Sequence, residues 1–203
     1  LDLSRLSERA TYFLGRFYDL ETQTLVAGLL RPGDRFVDVG ANIGMIALVA
    51  AERVGAGGLV DAFEPNPACV ARIRSFIERN RITQIRVHET AAGEADAELT
   101  LTIPRYNSGE ASLTRFGSNA DDDRFDRKVV PVRRVDDVLA DDPRPPILIK
   151  MDVEGYECIA LRGLTETLRR GKPIVITEVG ADMLKQAGST PGDMTDFFEG
   201  IGY

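Results

Sequence analysis

Residues 35–50, Arg-Phe-Val-Asp-Val-Gly-Ala-Asn-Ile-Gly-Met-Ile-Ala-Leu-Val-Ala, constrain the fold of this 203-residue chain more than any other segment. They read as a buried strand, a glycine turn and a helix start. The run from Phe36 to Val39 suits a central parallel strand, and from Ile43 onward the apolar spacing becomes helical. In the turn, Gly40 and Gly44 let backbone amides approach a ligand and let the helix pack closely, while Asn42 tolerates a left-handed conformation. A ligand at the carboxyl end of this strand is the expectation.

The next acidic residue narrows the ligand class. About 20 residues on, Leu-Val-Asp-Ala-Phe-Glu-Pro-Asn at 59–66 reads as a second strand ending in Glu64, followed by Pro65, where a carboxylate can take both hydroxyls of a ribose. The first loop departs from the G-x-G-x-x-G dinucleotide pattern, because Ala41 and Asn42 stand where a pyrophosphate would favour glycine. Asp38 would repel phosphate but suits an amino group or a sulfonium. The cofactor expected is therefore S-adenosyl-L-methionine rather than NAD, with Asp38, Gly40, Asn42, Gly44, Glu64 and Pro65 as its binding residues. No P-loop signature occurs.

Four blocks make the resemblance specific: Val-Asp-Val-Gly-Ala-Asn-Ile-Gly at 37–44, Ala-Phe-Glu-Pro-Asn-Pro at 62–67, Ile-Lys-Met-Asp-Val-Glu-Gly-Tyr-Glu at 149–157 and Ile-Thr-Glu-Val at 176–179. In this order and spacing the chain resembles an FkbM-type S-adenosylmethionine-dependent methyltransferase over residues 18–179. The resemblance implies a Rossmann-like class I fold, with a mostly parallel sheet in the order 3-2-1-4-5 and helices on both faces. It also implies O-methylation of a hydroxyl on a sugar, glycolipid or secondary metabolite.

Length and composition agree with a compact soluble enzyme. With 25 basic against 32 acidic residues, the net charge of -7 disfavours nucleic acid and anionic membrane as partners. No apolar run is long enough to span a bilayer, and cytoplasmic residence is the default expectation. Cys69 and Cys158 lie far apart and His88 is the only histidine, so no disulfide scaffold or cysteine/histidine zinc site is indicated. Both cysteines read as buried small apolar side chains.

One domain is expected, in four parts: a helical cover (1–34), a cofactor-binding half (35–92), a β insertion between the third and fourth strands (93–146) and an acceptor-side half (147–203). In the cover, Leu14, Phe17, Leu25, Val26, Leu29 and Leu30 follow helical spacing over 6–30. Asn66 can cap a helix with Pro67 in its first turn, and Val70, Ile73 and Ile77 then share a face until Asn80. Residues 85–89 read as the third strand. In the insertion, residues 98–103 and 128–132 read as an antiparallel pair. The loop between them, 104–127, is either a lid over the ligand or a solvated linker, and its Asp-Asp-Asp at 121–123 reads as a solvated charge run. Residues 89–92, with Glu89 and Ala91, stand where an adenine edge would be read.

The fourth strand, 146–152, carries the chemistry. Alternation puts Leu148, Lys150 and Asp152 on one face, with Asp152 at the ligand-binding end. Methyl transfer to an alcohol benefits from an acceptor for the hydroxyl proton, and Asp152 is the first candidate. The alternative is a carboxylate that neutralises Lys150 or caps the helix beginning near Tyr156. Glu154 and Glu157 read as supporting or capping residues, and a divalent ion on Asp152 and Glu154 is an open but poorly supported alternative, since two carboxylates do not make a site. In the implied strand order, Glu178 at the end of the fifth strand sits beside Asp152 and either binds a polar acceptor or bonds nearby amides. The catalytic set is thus Asp152, Glu178 and Lys150, with no metal. His88 lies in the third strand, remote from the acceptor side, and reads as structural.

A catalytically inactive nucleoside-binding module is the alternative function, because fold alone does not decide activity. A nucleotide-dependent oxidoreductase is disfavoured by the missing glycine. The chain ends at Tyr203 after a helix expected over 193–200, without the terminal strand pair that the resemblance implies. The expectation is a shortened chain whose fifth strand lies at an open edge, able to pair with a second copy as a homodimer.

Overall fold

The computed structural model describes residues 3–4, 6–114 and 122–203. The amino-terminal cover is two helices, α1 (Leu6–Leu14) and α2 (Leu20–Leu29), rather than one. Gly15 adopts a left-handed φ of 63°, and Asp19 restarts the helix by accepting the Thr22 amide at 3.0 Å. The break also changes the apolar face that spacing alone suggests. Val26 and Leu30 are buried, whereas Leu14 and Leu25 are exposed.

Strand β1 (Arg35–Val39) leads through the glycine turn into α3 (Met45–Val54), and β2 (Leu59–Phe63) leads into α4 (Pro67–Asn80). Asn66 caps α4 through the Ala68 amide at 3.1 Å with Pro67 in the first turn, as its sequence dictates. Next come β3 (Ile85–His88), β4 (Ala91–Gly93), β5 (Ala97–Pro104), β6 (Phe125–Arg134) and α5 (Val135–Leu139). The carboxyl-terminal part holds β7 (Leu148–Met151), α6 (Glu157–Arg162), α7 (Thr165–Gly171), β8 (Ile174–Thr177), α8 (Ala181–Gln186) and α9 (Pro191–Gly200). A capping box between Thr190 and Asp193 starts α9 two residues before the expected boundary.

The main sheet runs β3-β2-β1-β7-β8, all parallel, which is the 3-2-1-4-5 order. Every residue of β1 and β2 is buried, as parallel strands covered on both faces require. One core packs Val37, Val39, Ile149 and Met151 against α6 and α7, and the other packs Phe36, Val60 and Leu148 against α3 and α4. Two charges inside these strands satisfy each other: Arg35 Nε donates to Asp61 at 2.8 Å, and its Nη1 donates to the carbonyls of Asp142 and Arg144, each at 2.9 Å. His88 Nε2 lies 2.9 Å from the second Asp61 oxygen and the ring stacks on Phe63, which is the structural role expected of it. Among the described strands β8 pairs only with β7, and Ile174 on it is exposed.

The insertion forms its own small sheet, β4-β6-β5. β5 and β6 are the expected antiparallel pair, each longer than its sequence signal, while β4 adds a parallel strand from a segment read only as a ligand-contacting loop. Of the acidic triplet, Asp121 lies outside the described residues, as does part of the 104–127 loop. Asp122 holds Arg124 at 2.7 Å on an exposed surface. No helix among the described residues is long and apolar enough to cross a membrane.

Candidate active site

The turn after β1 is built on three left-handed residues, Gly40, Asn42 and Gly44, with φ of 80°, 49° and 84°. Its amides do not remain free for a ligand as the sequence suggests. Those of Gly40 and Ala41 both donate to the Phe63 carbonyl at 3.0 Å, and that of Gly44 donates to Ala41. The glycines serve the close packing that was also expected of them. A Cβ on Gly40 would lie 1.9 Å from the carbonyl oxygen of Asp152, and one on Gly44 would lie 3.0 Å from Ile73 on α4.

Glu64, at the carboxyl end of β2, is held by the same turn. Its Oε2 accepts the Asn42 amide at 2.7 Å and its Oε1 the Asn66 amide at 2.8 Å. The carboxyl group is almost wholly buried yet lines a cavity. Burial pushes its pKa up to about 7, against the opposing pull of the two amides. Each oxygen keeps a second lone pair for a donor inside the cavity.

Across β1, Lys150 joins the turn to the acceptor side. Its Nζ donates to the Gly40 carbonyl at 2.8 Å and stands 3.4 Å from Asp38 and 3.8 Å from Asp152. Burial alone would lower the ammonium's pKa, but the charges of Asp38 and Asp152 outweigh it and hold the group above its ordinary value. Asp38, expected to touch the ligand, is fully buried and absent from the cavity wall. Burial raises its pKa against the pull of Lys150. Its role in this geometry is to hold Lys150.

Asp152 follows β7 and lines the cavity with Val153 and Glu154. Glu154 takes a left-handed φ of 55° beside Gly155, and a Cβ on Gly155 would lie 2.6 Å from the Met183 carbonyl. Glu157 fixes this bend: its Oε1 accepts the amides of Val153 at 3.0 Å and Gly155 at 3.2 Å, which makes it a supporting residue of the bend before α6 and not a cap of that helix, whose N-cap Tyr156 makes no side-chain bond. Glu178 follows β8, outside the cavity wall. Single carboxylate oxygens of Asp152, Glu154 and Glu178 fall within 4.8 Å of one another, so the acidic pair considered from sequence gains a third member. Burial, followed by the charge of Asp152 and a hydrogen bond with it, raises the Glu178 pKa.

The cavity thus brings together Gly40, Asn42, Glu64, Pro65, Ala91, Lys150 and Asp152. Glu89 is not on its wall and pairs instead with Arg74 on α4 at 2.8 Å. Sequence reading named no residue of the remaining walls, although it left the 104–127 loop open as a lid. Thr11, Phe17, Tyr18 and Asp19 come from the cover, and Leu101 with residues 107–111 and 113 comes from the insertion. The 107–113 stretch folds back through bonds of Ser108 to Asn42 at 3.4 Å and of Ser112 to the Glu154 carbonyl at 2.9 Å. That part of the 104–127 loop roofs the ligand end and is not a bare linker. The only sequence signal for it was the run of small polar residues Asn107, Ser108, Gly109 and Ser112.

Comparison with known proteins places this geometry in a family. The family model of the methyltransferase FkbM domain matches residues 38–203. Over 162 residues the chain is 32% identical to the 31-O-demethyl-FK506 methyltransferase FkbM of Streptomyces tacrolimicus, covering 68% of this chain and 62% of that protein. It is 31% identical over 151 residues to Methyltransferase 1 of Beauveria bassiana (strain ARSEF 2860), covering 66% and 60% respectively. The crystal structure of methyltransferase FkbM from Methylobacillus flagellatus KT superposes with a TM-score of 0.57 at 24% identity, over 89% of this chain and 40% of that one. The chain therefore spans about 60% of the length of these curated relatives. By the match of its strand-turn-helix, Glu64 and Asp152 segments within one family model, the chain belongs to the FkbM methyltransferase family, with the Rossmann-like class I methyltransferase fold.

Proposed function

We propose that this chain is an S-adenosylmethionine-dependent O-methyltransferase acting on a hydroxyl of a sugar, glycolipid or secondary metabolite. The observation that carries the cofactor assignment is Glu64, a buried carboxylate facing a cavity with one free lone pair on each oxygen and, among the described residues, no cation in a salt bridge with it. A ribose diol supplies two donors of the right kind. Asp19, Glu110, Asp152 and Glu154 make the rest of the wall acidic, and Lys150 is engaged by Gly40 and Asp38. Such a wall suits a ligand carrying ammonium and sulfonium charge, and disfavours a pyrophosphate. When bound, S-adenosylmethionine supplies the methyl group and leaves as the neutral thioether.

The chain's own residues then have distinct tasks. Glu64 and Pro65 hold the ribose end, and Ala91 lines the side on which the adenine is read. Lys150, fixed by Asp38, steadies both the turn and Asp152. The Asp152 carboxylate receives the acceptor's hydroxyl proton as the new oxygen–carbon bond forms, and Glu178 beside it takes up part of the added charge change. The Streptomyces tacrolimicus relative, a 31-O-demethyl-FK506 methyltransferase, supports an alcohol acceptor. Turnover of S-adenosylmethionine against a panel of methyl hexosides, hydroxylated macrolactones and glycolipid headgroups tests this reading. Cofactor binding without methylation of any of them would sink the enzyme and leave a binding module.

Glu64 also gives the cofactor a pH signature. Because the carboxylate is the form that accepts both ribose hydroxyls, S-adenosylmethionine affinity is expected to fall as pH drops through about 7, approaching tenfold per unit below it. The ligand-free protein shows the opposite sign. A folded-state pKa raised from 4.5 to about 7 gives a contribution to stability that is full below 4.5 and lost as pH rises through 7, on the order of 3 kcal/mol. In Glu64→Gln the affinity should be lower at pH 8, by about 1.5–3 kcal/mol, and flat with pH. Calorimetry at pH 6, 7 and 8 reads this out. A pH-independent affinity in the parent protein would remove the ribose assignment.

A further inference from the structure

The cavity wall contains a phenol that the family blocks do not include. Tyr18 sits in the connection between α1 and α2, half-exposed at 49%, and lines the cavity together with Lys150 and Asp152. Its backbone carbonyl is held by the Leu20 amide at 3.1 Å and by Arg16 Nη1 at 3.3 Å, which fixes the residue on the restarted α2. Among the described residues its hydroxyl makes no hydrogen bond. Burial, and after it the charge of Asp152, raise the phenol's pKa against the opposing pull of Lys150, so it stays protonated at neutral pH. A second phenol on the wall, Tyr156, answers instead to Glu94 and Arg162, away from Asp152. Tyr18 is thus a free donor at the end of the cavity where the candidate base stands.

We propose that Tyr18 is an acceptor-binding residue, whose phenol donates a hydrogen bond to the acceptor and turns the reacting hydroxyl toward Asp152. The cover then acts as more than a lid, because it delivers one of the groups that recognises the substrate. The polar tip on an aromatic body suits a neutral hydroxylated acceptor: the ring covers a sugar or macrolactone face while the hydroxyl pairs with a ring or carbinol oxygen. This inference rests on the O-methyltransferase reading.

The test uses the full chain with S-adenosylmethionine and whichever methyl hexoside, macrolactone or headgroup of the panel turns over fastest. Tyr18→Phe keeps the ring and removes the donor. Its kcat/KM for that acceptor should fall about 10-fold to 100-fold, with S-adenosylmethionine affinity by calorimetry within about two-fold of the parent. In an Asp152→Asn background the same change should cost several-fold less, because the two groups act on one hydroxyl. An acceptor kcat/KM unchanged in Tyr18→Phe, an equal loss of cofactor affinity, or additive effects in the double variant each overturns the proposal while leaving methylation standing. Absence of turnover by the parent protein across the whole panel overturns both.

Discussion

Asp152→Asn is expected to leave S-adenosylmethionine affinity within a few-fold of the parent while turnover falls about 10²–10⁴-fold. The amide is nearly isosteric and cannot accept the hydroxyl proton. The wall around it should survive, because Lys150 keeps the Gly40 carbonyl at 2.8 Å and Asp38 at 3.4 Å after losing a counter-charge at 3.8 Å. Glu178 sets the residual rate. Without the Asp152 charge that raises its pKa, it ionises at lower pH and offers a second, less well placed base. The pH profile of the variant should therefore shift, and Asp152→Asn with Glu178→Gln should be slower than either alone. Turnover close to that of the parent, in a variant that still binds cofactor, would transfer the base role away from Asp152.

What the sequence made legible follows how local the physics is. The strand-turn-helix at 35–50 and the capped helix after Asn66 are written in contiguous residues, and the structure contains both. The supporting role of Glu157 is equally local, since it lies two and four residues from the amides it binds. The missed features depend on partners far along the chain. Asp38 looked available because nothing near it neutralises it, yet its partner Lys150 arrives with β7, and the pair is buried. The turn amides looked free until β2 brought the Phe63 carbonyl beneath them. Residues 107–113 and Tyr18 carry no periodic signal, because loops that wall a cavity are shaped by what they meet. The break at Gly15 was overlooked for a different reason: a single glycine inside an apolar pattern does not by itself end a helix.

The same distinction between local and distant constraint makes Gly40→Ala the sharpest test of the fold around the site. Sequence reading gave the turn glycines both ligand approach and close packing, and the structure sets Gly40 against the protein's own backbone as well as on the cavity wall, so even one methyl group should be felt without any ligand. The added Cβ would stand 1.9 Å from the Asp152 carbonyl at a residue whose φ is 80°. Left-handed strain costs about 1–2 kcal/mol and forced overpacking about 1–3 kcal/mol, so the loss should be on the order of 4 kcal/mol. For a domain of this size that lowers the melting temperature by about 8–16 °C. Relief requires the segment from Asp152 to Gly155 to move, which would also take Asp152 out of line with the cavity and lower turnover in whatever fraction remains folded. Gly33→Ala is the internal control: it has a φ of 92° but nothing within 4 Å of its Cβ, so it should show the strain without the clash. If thermal melts put the two variants within about 2 °C of each other, the close approach of Gly40 to Asp152 does not hold the site together.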